Sequence, residues 1–267
     1  MRKKTNLLFL YALAFLVFLY GPVLLLPLFS FNDGLYAIFP LKGFTFKAYL
    51  QMAHDPSLVK ALKNSLMVAV GVSVVSTAFG LLAAMGVTHY KLPGRGGIMG
   101  GIMLPLVVPS IILAVALLVI LRQVFDIPLT LWTVGAGHVL ICVPFSMMVL
   151  MARLEGFDKS LEEASADLGE SGWMTFWRVT FPLALPGVVS SLLMSFTISL
   201  DEYVIAFFLS GLDQTLPIFL YSQLRFPQRL PMTLALGSTI LFVSTIIVIV
   251  SEVVRRRGVP TAKPSGL

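Results

Sequence analysis

The chain has 267 residues, of which 57% are hydrophobic and 12% charged, with a mean hydropathy of +0.92 and a formal net charge of +6. The apolar residues come in long blocks, which excludes an ordinary soluble domain and indicates an integral membrane protein. Lys and Arg stand at the ends of these blocks and form no continuous patch, so the charge does not indicate nucleic-acid binding. The single cysteine, Cys142, excludes an internal disulfide and is predicted to be a small apolar filler.

The first apolar block runs from Leu7 to Phe31 without a charge and follows the basic residues Arg2, Lys3 and Lys4. The apolar core of a secretory signal peptide spans only about 7–15 residues. No small-residue cleavage site follows this block. We therefore predict a retained first transmembrane helix.

A membrane-spanning helix needs about 20 predominantly apolar residues. Six stretches meet this requirement: Leu7–Phe29, Leu66–Val87, Ile98–Leu121, Leu131–Met151, Leu183–Leu209 and Met232–Val254. They predict an all-α integral membrane protein with six transmembrane helices and a single domain over residues 1–267. Pro105, Pro109 and Pro144 are expected to kink their helices and free backbone carbonyls.

Orientation follows from the Lys and Arg residues that flank the spans. A cytoplasmic N-terminus gives that side the larger share, including Arg153, Lys159 and Arg178 after the fourth span. Both termini are therefore predicted to be cytoplasmic. Residues 30–63 then form an outer cap with turns at "FNDG" and "HDPS", and "HYKLPGRGG" forms a tight inner turn.

The loop between the fourth and fifth spans, about residues 152–182, is unusually charged for this chain. "LEEASADL" predicts a short helix, Gly169 ends it, and "WMTFWRV" predicts a second short segment with an aromatic apolar face. Pro182 and Pro186 mark the start of the fifth span. Such a helix–glycine–helix elbow suits docking into a groove of another protein, whereas a solvated connector is the alternative.

The spacing in this loop resembles the signature of ABC importer permeases, which is Glu-Ala-Ala, three residues, Gly, nine residues, Ile, one residue and Leu-Pro. Here Glu163-Ala164-Ser165 is followed at the same spacing by Gly169, Val179 and Phe181-Pro182. Ser165, Val179 and Phe181 depart from the pattern but are similar in size. The resemblance implies a cytoplasmic coupling helix that sits in a cleft of the ATPase. Its coupling residues would be Glu163, Ala164, Ser165, Gly169, Val179 and Pro182.

Four further stretches resemble spermidine/putrescine-type permeases, a group that includes importers of opines and phosphonates: "PLKGFTFKAYL", "ALKNSLMVA", "LPLVVPSIILAVALL" and "SLDEYVIAFFLSG". The resemblance implies a type I ABC importer permease fold in the bacterial inner membrane. The implied partners are a second permease, two ATPase subunits and a periplasmic binding protein. Polyamines are the expected substrate, with opine-like amino acids or aminophosphonates as alternatives.

The chain contains no G-x-x-x-x-G-K-[ST] loop, so ATP and Mg are expected on the partner ATPase and no cofactor is expected on this chain. A membrane-embedded enzyme is the remote alternative. It lacks support because no nucleophile motif or metal set accompanies the few polar residues in the spans.

Polar residues in the fifth span predict a substrate pathway, because Ser191, Ser195, Ser199 and Glu202 share one helix face. The pathway residues proposed from this pattern are Ser195, Ser199, Asp201, Glu202 and Tyr203, with Tyr203 and Phe207 available for cation–π contact. The alternative is that the serines permit close helix packing and the acids lie among headgroups. His138 is predicted to be buried and bonded to a neighbouring helix, with no metal.

Overall fold

The computed structural model describes residues 7–90, 93–155, 158 and 160–257. Apart from an isolated bridge between Asn32 and Phe44, the regular structure of these residues is helical. The α-helices are α1 (Leu7–Ser30), α2 (Lys47–Ala53), α3 (Pro56–His89), α4 (Arg95–Val107), α5 (Ser110–Val119), α6 (Leu131–Leu154), α7 (Ser160–Asp167), α8 (Gly172–Thr175), α9 (Phe181–Asp201), α10 (Val204–Leu209), α11 (Leu216–Gln223) and α12 (Leu230–Arg257). Wider π-turns follow α5 and α8, at Ile120–Val124 and Phe176–Thr180, and a 3₁₀ turn at Pro227–Arg229 precedes α12. The predicted all-α class is confirmed.

Four helices of the described residues are long and apolar enough to cross a membrane: α1, α3, α6 and the continuous helix Gly172–Asp201. The count becomes five if α4 and α5 form one bent span. The predicted sixth stretch, Met232–Val254, lies within α12, which has 28 residues. The described residues therefore give four or five candidate spans, and the number six stays a prediction.

The predicted third span is two helices, since α4 and the segment from α5 through the following π-turn meet at an angle of 100°. Val108 is extended, with φ −78° and ψ 129°, and Pro109 precedes the first residue of α5. A proline disfavours helical geometry in the residue before it, which explains why the helix breaks at Val108. The expected kink at Pro109 is thus a complete break, while Pro105 and Pro144 lie inside helices.

The predicted end of the fifth span, Leu209, is wrong, whereas its predicted start, Leu183, lies inside a helix. The helix already begins at Gly172 and ends at Asp201, where Glu202 is extended with φ −70° and ψ 113°. At the start, the π-turn closes with a hydrogen bond from the Phe181 amide to the Phe176 carbonyl. Pro182 follows at once and has no amide hydrogen for an ordinary helical bond. The wider turn before it keeps the helix continuous.

The chain divides into two compact units, residues 1–56 with 220–267 and residues 57–219. In the first unit, α1 and α2 both pack against α12. The Tyr49 hydroxyl joins the three helices, because it lies 2.7 Å from Ser30 Oγ and donates to Ser238 Oγ at 3.3 Å. The outer cap is shorter than predicted, since α3 begins at Pro56. A single domain over the whole chain stays a prediction.

The second unit contains two apolar clusters along α3 and α6. One includes Val72, Cys142 and Ile205 and reaches α5, α10 and α11, and the other includes Ala84 and Met147 and reaches α9. The predicted filler role of Cys142 is confirmed by its complete burial in the first cluster. Helices α3 and α6 approach so closely that a Cβ added at Gly80 would lie 2.5 Å from the Cβ of Ser146.

Several basic residues that supported the predicted orientation lie outside the described residues, in the ranges 1–6, 91, 159 and 258–267. The orientation of the termini therefore stays a prediction.

Candidate functional site

The charged loop folds into the predicted elbow, with α7 before Gly169 and α8 after it. Asp158 precedes α7 and its carboxylate accepts the Ser160 amide at 3.0 Å, a bond that lowers the pKa of Asp158. At the other end, the Gly169 amide donates to Ala166 O and the next amide to Ser165 O, with Gly169 at φ +86°. This is a Schellman ending of the helix, which favours glycine at the left-handed position. The predicted helix break at Gly169 is confirmed.

A buried hydroxyl pair holds the two arms of the elbow together. Ser165 Oγ on α7 lies 3.0 Å from Thr175 Oγ1 on α8, and both residues are buried. The family signature has alanine where this chain has Ser165, so the serine adds a hydrogen bond without adding much volume. This departure from the pattern stabilises the elbow.

A second set of bonds ties the elbow to the C-terminal end of α3. Glu162 Oε1 accepts the Thr180 hydroxyl at 2.6 Å and lies 3.1 Å from His89 Nε2. The side chains of His89 and Glu162 are only 18% and 28% exposed, so solvent weakens these bonds less than at an open surface. The His89–Glu162–Thr180 cluster thus joins α3, α7 and the start of the long helix. The sequence did not predict this cluster, because the residue pattern within one loop does not indicate which residue of another helix will contact it.

A third link is the ion pair between Arg178 and Glu170, which joins the bend after Gly169 to the π-turn that follows α8 and is partly exposed. Large apolar side chains of the elbow are exposed as well. Leu168 is 86% exposed and Trp173 69%, and Trp177 packs on Trp173 with ring centroids 5.7 Å apart. We call Leu168, Trp173 and Trp177 the elbow surface. Large apolar side chains exposed together in this way are typical of a surface that contacts another molecule.

The predicted coupling residues divide between the exposed exterior and the interior of the elbow, and none of them belongs to the elbow surface. Glu163, Ala164 and Pro182 are exposed, Val179 is half-buried and Ser165 is buried. Only the exposed residues can touch a partner directly. Ser165 and Gly169 shape the elbow.

The serines of α9 lie at contacts with other helices of the second unit. Ser195 Oγ is 2.8 Å from Ser146 Oγ on α6, and Ser191 Oγ is 3.0 Å from Thr77 Oγ1 on α3. Ser199 Oγ is 2.8 Å from His138 Nδ1, so the predicted bond of a buried histidine to a neighbouring helix is confirmed. Ser195 and Ser199 are both buried, which is the arrangement expected of close helix packing. Their role in a substrate pathway stays a prediction.

The acidic pair lies at a helix break and not inside a span as predicted. Asp201 is the last residue of α9 and is exposed, on the same face as Thr197 and Met194. Glu202 Oε1 accepts the amides of Val204 and Ile205 at 2.9 and 3.1 Å, so this carboxylate caps α10.

The half-buried Tyr203 packs against Phe207, with ring centroids 5.6 Å apart. Asp201 is therefore the carboxylate in this pair that has no capping role. Within the described ranges, no three His, Cys, Asp or Glu side chains are grouped closely enough to hold a metal ion.

Comparison with solved structures shows the fold. The chain matches a bacterial ABC transporter involved in the import of the acidic polysaccharide alginate, with a TM-score of 0.69 over 97% of this chain and 99% of that one. A second structure, of the alginate ABC transporter in complex with an alginate pentasaccharide-bound periplasmic protein, gives a TM-score of 0.70. Sequence identities are 18% and 17%, so these likenesses concern the fold alone.

Comparison with curated sequences gives nearer relatives. The chain is 32% identical over 244 residues to the spermidine/putrescine transport system permease protein PotC of Escherichia coli (strain K12), covering 91% of each chain. It is 31% identical over 218 residues to the putrescine transport system permease protein PotI of the same organism, covering 78% of this chain and 76% of the relative. Residues 76–258 match the family described as binding-protein-dependent transport system inner membrane component. The chain belongs to this family of transport permeases, which are not enzymes.

Proposed function

We propose that this chain is the transmembrane permease subunit of an ATP-driven importer that takes up polyamines, with ATP hydrolysis on a separate subunit. The observation that supports this most strongly is the 32% identity to a spermidine/putrescine permease over 91% of the chain. The folded elbow adds a structural reason, because it offers an outward apolar surface on a stiffened loop. The proposed partners are a second permease, two ATPase subunits that bind ATP and Mg, and a periplasmic binding protein.

The elbow surface and the exposed residues Glu163 and Ala164 form the proposed contact with the ATPase. Glu163 and Ala164 project from α7, and Trp173 projects from α8, so the two arms can enter one cleft together. The Ser165–Thr175 pair and the His89–Glu162–Thr180 cluster keep the arms from moving independently. A displacement imposed on the elbow is therefore passed to α3 and to the helix that begins at Gly172.

The proposed topology has six spans and two cytoplasmic termini in the bacterial inner membrane. The bent pair α4 and α5 would be the third span and α12 the sixth. Cysteine placed at Lys47 or Gln214, in a Cys142→Ser background, is expected to react with an impermeant maleimide from outside. Cysteine at Ser171 is expected to remain unlabelled until the membrane is opened. The reverse pattern contradicts the topology.

The proposed substrate carries two or more ammonium groups on an apolar stem, so its path requires carboxylates that bind weakly enough to release it. Asp201 is exposed and free of a capping role, which makes it the best candidate on this chain. Glu202 and Tyr203 adjoin it, and Ser199 and Ser195 line the buried side of the same helix. Opine-like amino acids and aminophosphonates are the alternative substrates.

The test is uptake of radiolabelled putrescine and spermidine by the reconstituted importer. Asp201→Asn is expected to lower uptake while assembly and basal ATP hydrolysis persist, and Asp201→Glu is expected to retain uptake because it keeps the charge. Normal transport by Asp201→Asn removes this residue from the pathway. A wild-type complex that imports only zwitterions or anions replaces the polyamine proposal with one of the alternatives.

A further inference from the structure

The segment between α1 and α2, residues 31–46, is a folded loop whose polar groups bond to one another. The Asn32 side chain accepts the Lys42 amide at 2.9 Å and donates to the Tyr36 carbonyl at 3.3 Å. A Cβ added at Gly34 would lie 2.9 Å from Asn32 Nδ2, so the loop closes tightly around this amide. Asn32 is itself buried. The loop therefore has an organised interior made of polar groups.

Its large apolar side chains point away from that interior. Six of them are between 55% and 73% exposed: Leu35, Tyr36, Ile38, Phe39, Phe44 and Phe46. We call these six the apolar cap. A folded loop in contact with water would be expected to turn such side chains inward, and this many large apolar side chains exposed on one short loop indicate a contact with something other than water.

Ring contacts fix the level of the apolar cap relative to α1. The Phe39 ring lies 5.0 Å from the ring of Phe29, which belongs to the last turn of α1. The Phe44 ring stacks at 4.8 Å on Phe31, the first residue after α1. These contacts place Phe39 and Phe44 beside the end of the helix.

Helix α1 is itself one of the candidate spans, and none of the side chains in its most apolar window is buried. Its 24 residues extend about 36 Å at 1.5 Å per residue, enough to cross a hydrocarbon layer about 30 Å thick. The end of α1 therefore lies at the boundary between hydrocarbon and headgroups. The rings that pack on Phe29 and Phe31 lie at the same boundary.

The charged groups of the loop match this placement. Lys47 and Asp33 form an ion pair at 3.1 Å, and the Lys42 side chain is exposed. The Tyr49 hydroxyl bonds to Ser30 at the end of α1. Aromatic rings mixed with lysines at the end of a span are typical of the membrane–water interface, where rings enter the acyl region and ammonium groups reach water.

We propose that the apolar cap is a lipid-binding surface that inserts into the boundary between headgroups and acyl chains beside α1. The occupant is phospholipid and not a protein partner, because the rings of the cap pack on residues at the end of a span and exposed lysines accompany them in the same loop. Insertion would fix the depth of α1 and the position of α2 relative to the bilayer. This inference depends on α1 crossing the membrane and not on the substrate or on the ATPase contact.

The test measures the depth of nitroxide labels in the complete importer, reconstituted in nanodiscs of phosphatidylethanolamine and phosphatidylglycerol. Labels are attached at Phe44→Cys and Ile38→Cys in a Cys142→Ser background. Phe18→Cys, near the middle of α1, is the hydrocarbon control, and Lys42→Cys is the aqueous control. Collision with oxygen, which concentrates in the bilayer, is compared with collision with a water-soluble nickel chelate.

We expect the ratio of oxygen to nickel collisions at both cap positions to be several-fold above that at Lys42 and nearer to that at Phe18. Equal ratios at the cap positions and at Lys42 overturn the proposal. Labels shielded from both reagents until the binding protein or the second permease is removed also overturn it, because they show a protein contact. Ile38 is 59% exposed and is not one of the stacked rings, so its label tests the proposal even if replacing Phe44 disturbs the fold.

Discussion

Gly169 offers the sharpest test of the elbow, because its substitution has one physical effect. Its φ is +86°, and a Cβ added there would meet nothing within 4 Å. Gly169→Ala therefore introduces no steric clash with a neighbour, and its cost is the backbone strain of a left-handed conformation. That strain is about 1–2 kcal/mol for a residue with a Cβ, and smaller for Asn.

This strain lowers the fraction of chains in which the elbow is formed. A cost of about 1–2 kcal/mol corresponds to roughly 5- to 30-fold in an equilibrium constant. The apparent affinity for the ATPase falls by at most that factor, since only the folded elbow presents its surface. The assay is titration of the purified ATPase against the permease complex in detergent or nanodiscs, with melting temperature measured in parallel.

Gly172→Ala is the matched control. Gly172 begins α8 with no left-handed φ, and a Cβ there also meets nothing within 4 Å. We expect unchanged ATPase affinity for Gly172→Ala, a clear loss for Gly169→Ala and an intermediate value for Gly169→Asn. If Gly169→Ala and Gly172→Ala bind the ATPase equally well, the reasoning about the elbow is refuted.

Three further predictions concern helix contacts. Gly80→Ala is expected to destabilise the permease by about 1–3 kcal/mol, because the added Cβ overpacks α3 against α6. Gly86→Ala is the control and should leave the melting temperature unchanged, because its Cβ meets nothing within 4 Å. Equal melting temperatures of the two variants contradict the close approach of α3 and α6. Glu162→Gln removes the charge from two hydrogen bonds and should lower the free energy of opening the elbow by about 1 kcal/mol, which is measured as faster amide hydrogen exchange in α7. Glu163→Gln, at an exposed position, is the control and should not change exchange in α7. Glu202→Ala removes the cap of α10 and should lower the stability of the permease by about 1 kcal/mol. Glu202→Gln keeps an acceptor oxygen and should have the melting temperature of the wild type. If Glu202→Gln melts normally but loses polyamine uptake, the charge of Glu202 is needed for transport.

Local patterns in the sequence were enough to predict the elbow. Strong helix formers in "LEEASADL" and a glycine at the left-handed position depend on neighbouring residues only, and both features are present in α7 and Gly169. The family spacing placed the same residues in a coupling loop, a role that stays a proposal. The bond between Ser165 and Thr175 required knowledge of how the two arms fold together.

Features set by tertiary structure could not be predicted in the same way. Apolar residues continue on both sides of Glu202, so a criterion of length and hydropathy extended the fifth span through the break. Pro109 indicated a disturbance of the third span but not an angle of 100°. His89 and Glu162 are 73 residues apart, and nothing in either local sequence indicates that they meet.

The uninterrupted helix from Gly172 to Asp201 has a mechanical consequence. Its 30 residues extend about 45 Å at 1.5 Å per residue, and its two ends are the elbow and the exposed carboxylate of Asp201. If the helix tilts by about 5° about Ser195, the elbow end at Gly172, about 35 Å away, moves by roughly 3 Å, and Asp201, about 9 Å away, moves by less than about 1 Å. The serine contacts in the last third of the helix, from Ser191 to Ser199, would act as the pivot, where displacement is smallest and the hydrogen bonds to α3 and α6 can persist.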